Sequence, residues 1–138
     1  MAKLKNYASD PIYLGIAKWN LLLIRDKVDL LGDDTEVVPG IKCVATPGHT
    51  PGSVIFMISS ARDQLCCIGD LIHFEQDVIG TPLLGIFDGT EEAIKNRILA
   101  GLAESGALVF ACHLKFPGLG HVTKKDNRLG WQPIDMPI

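Results

Sequence analysis

The sequence has few aromatic residues, no excess of basic charge and no long apolar run, and each of the last two features excludes a class of protein. Aromatic residues make up 7% of the 138 positions, and 13 basic residues face 16 acidic ones, for a net charge of −3. Because nucleic acids and anionic membrane surfaces are bound by basic patches, this balance predicts no nucleic-acid partner and no membrane partner. No apolar stretch approaches the roughly 20 residues that a membrane-spanning helix needs.

Cysteine is also scarce, and the four cysteines form no metal or disulfide motif. Cys66 and Cys67 are adjacent, whereas Cys43 and Cys112 stand alone, and no C-x-x-C pair occurs. We expect these thiols to be small apolar side chains in a reducing compartment. The N-terminal segment lacks the apolar core of a secretory signal. We therefore expect a cytoplasmic protein.

The order of the apolar segments predicts a single α+β domain over residues 1–138, a length that suits one domain. We expect a first helix from Asp10-Pro11 to about Arg25, and a second from about Asp88 or Thr90 to Ser105. Short apolar segments predict strands at residues 28–31, 41–45, 54–58, 65–68 and 107–112. Residues 71–87 are expected to form a long loop and residues 115–138 an irregular end. This order favours a mixed sheet with helices on one face.

Three of the predicted strands lead into a side chain that can bind a metal ion. His49 lies in the turn sequence TPGHTPGS, Asp70 follows Gly69, and His113 follows the last predicted strand. Side chains just past strand ends can converge at one rim of a sheet. Two imidazoles and a carboxylate suit zinc and leave a fourth position for water. Taken singly, each residue is more often an ordinary packed, surface or turn residue, so both interpretations stay open at this point.

The motifs themselves resemble a known family. The strings TPGHTPGS, GD after an apolar strand, and CHLKFPGLGHV follow one another as the third, fourth and fifth motifs of the metallo-β-lactamase superfamily do. The strings GDDTEVVPGI, GDLIH, IFDGT and WQP resemble its methyl-parathion-hydrolase-like branch, and together these segments cover nearly the whole chain. The resemblance implies the C-terminal half of an αββα sandwich, with helices on one face of a mixed sheet.

The resemblance also implies a cofactor and a role for each candidate residue. Zinc is the implied metal, with His49 on a first ion, His113 on a second, and Asp70 as the bridging and catalytic residue. The implied reaction is hydrolysis of an ester, lactone or phosphoester, because metal ions make a nucleophile from water at neutral pH.

One superfamily motif is missing from the sequence. An upstream His-x-His-x-Asp-His run supplies the remaining ligands, but the four histidines here include no two separated by one residue. We therefore expect an incomplete site that holds zinc partially or as one ion, and little hydrolysis by this chain alone. The chain is expected to act as an enzyme only where a partner chain completes the site.

Several partners and functions remain open from the sequence. We expect a homodimer, because an apolar sheet face drawn from Val54, Phe56, Ile58, Cys66 or Ile68 would otherwise meet water. A separate N-terminal half is a second candidate partner. The alternatives to a hydrolase are a non-catalytic dimeric remnant and a module that binds a small ligand or a partner protein.

The remaining histidines and three phenylalanines have less specific interpretations. His73 follows Asp70 by three residues and can support a metal ligand, although an ordinary loop position is more common for histidine. His121 is expected to cap a turn. Phe74, Phe87 and Phe116 suit either a substrate pocket or the core.

Overall fold

The computed structural model describes residues 11–79 and 89–135, and the chain divides into two compact units, residues 1–32 and 33–138. In the first unit, helix α1 (Pro11–Ile24) begins at the predicted proline and continues into a 3-10 turn, Arg25–Lys27. The expected N-cap, Asp10, lies outside the described residues. The strand predicted at residues 28–31 is wrong: this segment forms no regular element, and Leu30 is 94% exposed. No described helix is both long and apolar enough to cross a membrane.

The second unit is built on a seven-stranded mixed sheet whose strands lie side by side in chain order. The strands are β1 (Glu36–Val38), β2 (Ile41–Ala45), β3 (Val54–Ser60), β4 (Asp63–Cys67), β5 (Leu108–Phe110), β6 (Leu119–Lys125) and β7 (Arg128–Pro133). Every neighbouring pair is antiparallel except β4 and β5, which are parallel. The predicted fold class, a mixed sheet combined with helices, is confirmed.

Two helices accompany the sheet. Helix α2 (Glu75–Ile79) follows β4, and helix α3 (Gly89–Ser105) lies in the long crossover that the parallel pair β4–β5 requires. Helix α3 ends at Gly106, whose φ of +66° suits the left-handed position after a helix. Asp88, predicted as a start of this helix, lies outside the described residues.

The core lies between the helices and one face of the sheet. Buried strand residues meet buried residues of α3, and the cluster includes Ile55, Cys66, Ile68, Val109, Ala111, Val122, Leu99 and Leu102. By sequence alone, Cys66 and Ile68 are possible members of the apolar sheet face that would meet water. In the structure, both residues are fully buried. Because successive strand residues alternate between faces, Cys67 lies on the opposite face, where it pairs with Phe56 and Phe110. Phe56 and Phe110 are 38% and 37% exposed.

Two segments expected to be irregular contain regular elements. Residues 71–79, predicted as loop, include helix α2, whereas residues 80–88 lie outside the described part of the chain. The irregular end predicted at 115–138 is wrong, because β6 and β7 form a hairpin there. Its turn residues, Asp126 and Asn127, have φ values of +49° and +60°, as in the two-residue turns that match the strand twist.

Candidate metal centre

Asp70 is placed by a sharp turn at the end of β4. The Ile68 N–H donates to the Phe110 carbonyl, which holds the end of β4 against β5. Gly69 then adopts a φ of +48°, a conformation that glycine adopts without the steric cost of a side chain. Asp70 follows in the short 3-10 turn Gly69–Leu71, with its side chain 47% exposed. The turn therefore presents the Asp70 carboxyl at the rim of the sheet.

His49 is placed by a loop that closes on itself between β2 and β3. The Thr46 N–H donates to the Ser53 carbonyl, and the Thr50 N–H donates to the Ser53 hydroxyl. The Gly48 N–H donates to the Thr50 carbonyl across His49. This loop brings Nε2 of His49 to 4.0 Å from Oδ2 of Asp70.

His113 is placed by the turn after β5. Nε2 of His113 lies 2.6 Å from Oδ1 of Asp70. The Ala111 N–H donates to the Gly118 carbonyl, and a Cβ on Gly118 would lie 2.6 Å from the Ala111 carbonyl oxygen. Only a glycine leaves room for this close approach, so Gly118 helps to hold the turn that carries His113.

His73 lies inside the same cluster, although the sequence favours an ordinary loop position for it. Its side chain is 14% exposed, and its Nε2 lies 3.9 Å from Oδ1 of Asp70. Its ring centroid is 4.9 Å from that of His49 and 4.7 Å from that of His113. The one signal in the sequence is the spacing Asp70-x-x-His73, which places both residues around one tight turn.

The structure therefore brings the three candidate ligands His49, Asp70 and His113 together, and adds His73. That these residues bind a metal ion stays a prediction. Nε2 of each of these three histidines lies within 4.0 Å of an Asp70 carboxyl oxygen. His121, expected to cap a turn, instead lies in β6, where its Nδ1 is 3.2 Å from the Ala107 carbonyl oxygen.

The surroundings of the cluster favour an ionised carboxyl on Asp70 and a neutral imidazole on His73. The hydrogen bond from His113 lowers the pKa of Asp70; partial burial opposes this, and the nearby His49, His113 and His73 add to the lowering. Burial lowers the pKa of His73, and His113 and His49 lower it further, while Asp70 and Asp77 act in the opposite direction. A neutral imidazole has the lone pair that a metal ion requires.

These donors fit zinc in chemistry and approximately in spacing. One ligand atom each from His49, Asp70 and His73 lies within 4.8 Å of the others. Ligand atoms around one tetrahedral zinc are about 3.3 Å apart, because zinc–ligand bonds are about 2.0–2.1 Å long. Side-chain movements of about an ångström would bring these three ligand atoms to that spacing. The two carboxyl oxygens of Asp70 face different partners, with Oδ2 nearest His49 and Oδ1 nearest His113 and His73.

One feature of His49 departs from a finished zinc site. A zinc-binding histidine almost always donates its second ring N–H to a carbonyl, a carboxylate or a water molecule. Nδ1 of His49 is buried, yet it has no hydrogen-bond partner among the residues that the structure describes. No described protein group therefore orients the His49 ring through its second nitrogen.

A cavity of about 230 Å³ adjoins the cluster. Two of the histidines line it, together with residues at the start of α2 and in the β5–β6 connection. The lining residues are His73, Phe74, Glu75, Gln76, His113, Leu114 and Lys115. Phe74 is 41% exposed and Phe116 is 85% exposed, so neither is a core residue. Phe87 lies outside the described residues. Phe74 thus fits the pocket interpretation of the sequence.

The sequence matches no protein-family model and no curated protein, but the fold matches solved structures. One is AidC, a dizinc quorum-quenching lactonase solved with the product N-hexanoyl-L-homoserine, with a TM-score of 0.73 and 29% identity over 86% of this chain and 42% of that chain. Another is AbOPH, a hydrolase in the β-lactamase superfamily, with a TM-score of 0.70 and 26% identity over 86% of this chain and 43% of that one.

A third match, a probable metal-dependent hydrolase from Staphylococcus aureus, has a TM-score of 0.64 over 83% of this chain and 42% of that one; at 17% identity it shows the fold alone. The structural neighbours are metallo-β-lactamase superfamily hydrolases, and they cover most of this chain. The chain spans about two fifths of the length of these three structures. The dizinc neighbour and the His/Asp cluster both point to zinc as the metal.

Proposed function

We propose that this chain supplies the Asp70-centred part of a zinc-dependent hydrolase site that acts on a lactone, an ester or a phosphoester. The observation that carries the proposal is the Asp70 carboxyl, which imidazoles approach at both of its oxygens. Isolated histidines are common, but three of them around one carboxyl at a sheet rim are typical of metal sites. The 29% identity to a dizinc lactonase and the 26% identity to a superfamily hydrolase support this reaction class.

The two oxygens of Asp70 divide the ligands into two groups. We assign His49, Asp70 and His113 as residues that would hold zinc, with His49 approaching Oδ2 and His113 approaching Oδ1 of Asp70. Zinc bound there supplies Lewis-acid chemistry: it lowers the pKa of water and polarises a carbonyl or phosphoryl oxygen. The lowered pKa of Asp70 keeps this carboxyl ionised, as a metal ligand must be.

His73 and the adjoining cavity complete the proposed site. Burial lowers the pKa of His73 and so favours the neutral ring that a metal ion requires, and one ligand atom each from His49, Asp70 and His73 lies within 4.8 Å of the others. We assign His73 to the metal site, beside His49 and Asp70. Phe74 and Leu114 give the adjoining cavity an apolar wall that suits an acyl or alkyl group and excludes water beside it.

In our proposal a second chain contributes to the site, because the His-x-His-x-Asp-His run does not occur in these 138 residues. The uncovered sheet face supports a homodimer: Phe56 and Phe110 pair with Cys67 on central strands and are each more than one third exposed. Covering apolar surface contributes about 25 cal/mol per Å², so aromatic side chains on one face favour a second protein surface there. A separate chain that carries the missing histidines is the second candidate partner, and it would complete the metal ligands.

Hydrolysis by the zinc-loaded chain tests the proposed function. With a short N-acyl homoserine lactone and an aryl ester, we expect slow zinc-dependent turnover that Asp70→Asn abolishes, while His121→Ala leaves it unchanged. The rate should lie well below the roughly 10 per second of a typical enzyme, because the chain supplies only part of the ligand set. Zinc-independent turnover, or turnover that survives Asp70→Asn, would contradict the proposal.

A further inference from the structure

A buried carboxyl holds the backbone on which His73 lies. Oδ2 of Asp77 accepts hydrogen bonds from the N–H groups of His73, at 2.8 Å, and Phe74, at 2.9 Å. Asp77 is 3% exposed. Its own N–H donates to the Phe74 carbonyl, so Asp77 fixes the start of helix α2 from both sides. In form this is the side-chain half of a capping box, with Phe74 at the N-cap and Asp77 three residues later.

A buried lysine of α3 hydrogen-bonds to the backbone of Asp77. Lys95 is fully buried, and its Nζ donates to the Asp77 carbonyl at 3.1 Å. Burial lowers the pKa of Lys95, while the nearby Glu92 and Asp77 raise it. A capping box usually lies at the surface and needs no lysine. Burying an ionisable side chain costs free energy unless it is paired and hydrogen-bonded, and the hydrogen bond of Lys95 to Asp77 meets part of that need.

The short segment between Asp70 and Phe74 is thereby fixed at both ends. At one end, the Leu71 N–H donates to the Ile68 carbonyl in the turn that presents Asp70. At the other end, Asp77 holds the two N–H groups of His73 and Phe74. With its backbone held, the His73 ring stays between those of His49 and His113.

We propose that Asp77 and Lys95 are positioning residues that hold His73 at the candidate metal site, so that helix α3 controls the geometry of that site from inside the core. Both residues act through His73 rather than on the substrate. The inference rests on the proposed function, because it takes His73 to belong to a zinc site. Removing a partner that orients a metal-site residue typically weakens metal binding by roughly 10- to 100-fold.

Two variants and two matched controls test the proposal. Asp77→Asn removes the charge with little change in shape, and Lys95→Met replaces the ammonium group by an apolar chain of similar length. Glu104→Gln and Arg97→Met are the same kinds of change at exposed positions of helix α3. In the first pair, we expect zinc affinity to fall by about 10-fold or more and the visible spectrum of the cobalt(II)-loaded protein to change. The controls should retain both wild-type values.

The cobalt spectrum separates positioning from stability, because it reports the number and geometry of the ligands. Lys95→Gln retains a donor for the Asp77 carbonyl, so we expect it to recover part of the affinity; it also replaces Lys95→Met if that variant does not fold. Folded variants of Asp77 and Lys95 with wild-type zinc affinity and an unchanged cobalt spectrum would overturn the proposal and leave the proposed function intact.

A wild-type chain that takes up no zinc would overturn the proposed function instead. The positioning proposal is then decided on the metal-free protein by NMR. Nuclear Overhauser effects between the ring protons of His73 and His113 are expected from their 4.7 Å centroid distance. We expect these signals to weaken in Asp77→Asn and Lys95→Met, and signals of wild-type intensity would count against the positioning role.

Discussion

Asp70 and His113 are 43 positions apart in the sequence, yet their side chains meet at 2.6 Å. The parallel pairing of β4 and β5 explains the contact, because Cys67 and Phe110 are partners in adjacent strands. Asp70 comes three residues after Cys67, and His113 comes three residues after Phe110. The carboxyl ends of parallel strands lie at the same edge of a sheet, so one register sets both sides of the candidate site.

The Asp70–His113 contact predicts a change in the titration of Asp70. The hydrogen bond from His113 is the main cause of the lowered Asp70 pKa, so His113→Ala should raise that pKa toward its ordinary value. Carboxyl chemical shifts of the metal-free protein, followed by NMR between about pH 2 and about pH 6, measure the change. His121→Ala, a change at a histidine in β6, is the control and should leave the titration unaltered. An Asp70 pKa that stays low in His113→Ala would show that the contact does not determine it.

Burial of His73 predicts that the metal-free protein loses stability in mild acid. A folded-state pKa below the unfolded value of about 6.5 favours the neutral ring, so this contribution is fully present above about pH 6.5. It declines as the pH falls below that value, because the unfolded chain then binds the proton more readily. Urea unfolding should show a smaller loss for His73→Gln than for wild type between about pH 7.5 and about pH 5. Parallel losses in both proteins would contradict the prediction.

Two glycine substitutions should change stability in opposite directions. Gly118 has a φ of +69°, and a Cβ there would meet the Ala111 carbonyl, so Gly118→Ala should destabilise the fold by at least about 1–2 kcal/mol. Gly101 lies within α3 with open space around its Cβ position, so Gly101→Ala should stabilise the fold by about 0.5–1 kcal/mol. Denaturant unfolding measures both. A tolerated Gly118→Ala would mean that the turn carrying His113 is not held as described.

The proposed homodimer predicts that oligomeric state depends on Phe56. Light scattering at low micromolar concentration should report a dimer for wild type and a monomer for Phe56→Ser. Phe116→Ser removes an equally large side chain that is 85% exposed and lies in the connection after β5, outside the strands that carry Phe56, Cys67 and Phe110. That control should remain dimeric. A folded wild-type monomer, or a Phe56→Ser dimer as stable as wild type, would exclude this interface.

The sequence predicts part of the site because three candidate residues lie directly after apolar strands, in or beside tight turns. It does not predict the support of His73. Lys95 occupies a buried position of α3, and a lysine in a helix indicates an exposed face in any hydropathy pattern. Asp77 acts through backbone N–H groups, which leave no mark on residue type. Both side chains become interpretable only when the fold places them in the core.

The strength of the apolar pattern also explains which helices and strands the sequence predicts correctly and which it misses. Helix α3 and strands β2 to β5 carry strong apolar patterns, and the sequence predicts them near their observed bounds. The β6–β7 hairpin has alternating polar residues and an Asp126-Asn127 turn in place of Asn-Gly, so its pattern is weak. Cys66 and Ile68 are ambiguous in the sequence because a continuous apolar run does not show which face of a strand meets the helices.

Zinc content is the most direct test of the central claim that Asp70 organises a zinc site with His49 and His113. The measurement is zinc per chain by elemental mass spectrometry after zinc loading and gel filtration, for wild type and for Asp70→Ala, His49→Ala and His113→Ala. We expect about one ion per wild-type chain, loss in all three variants, and wild-type content in the control His121→Ala. A wild-type chain without zinc, or zinc retained in Asp70→Ala, would contradict the claim.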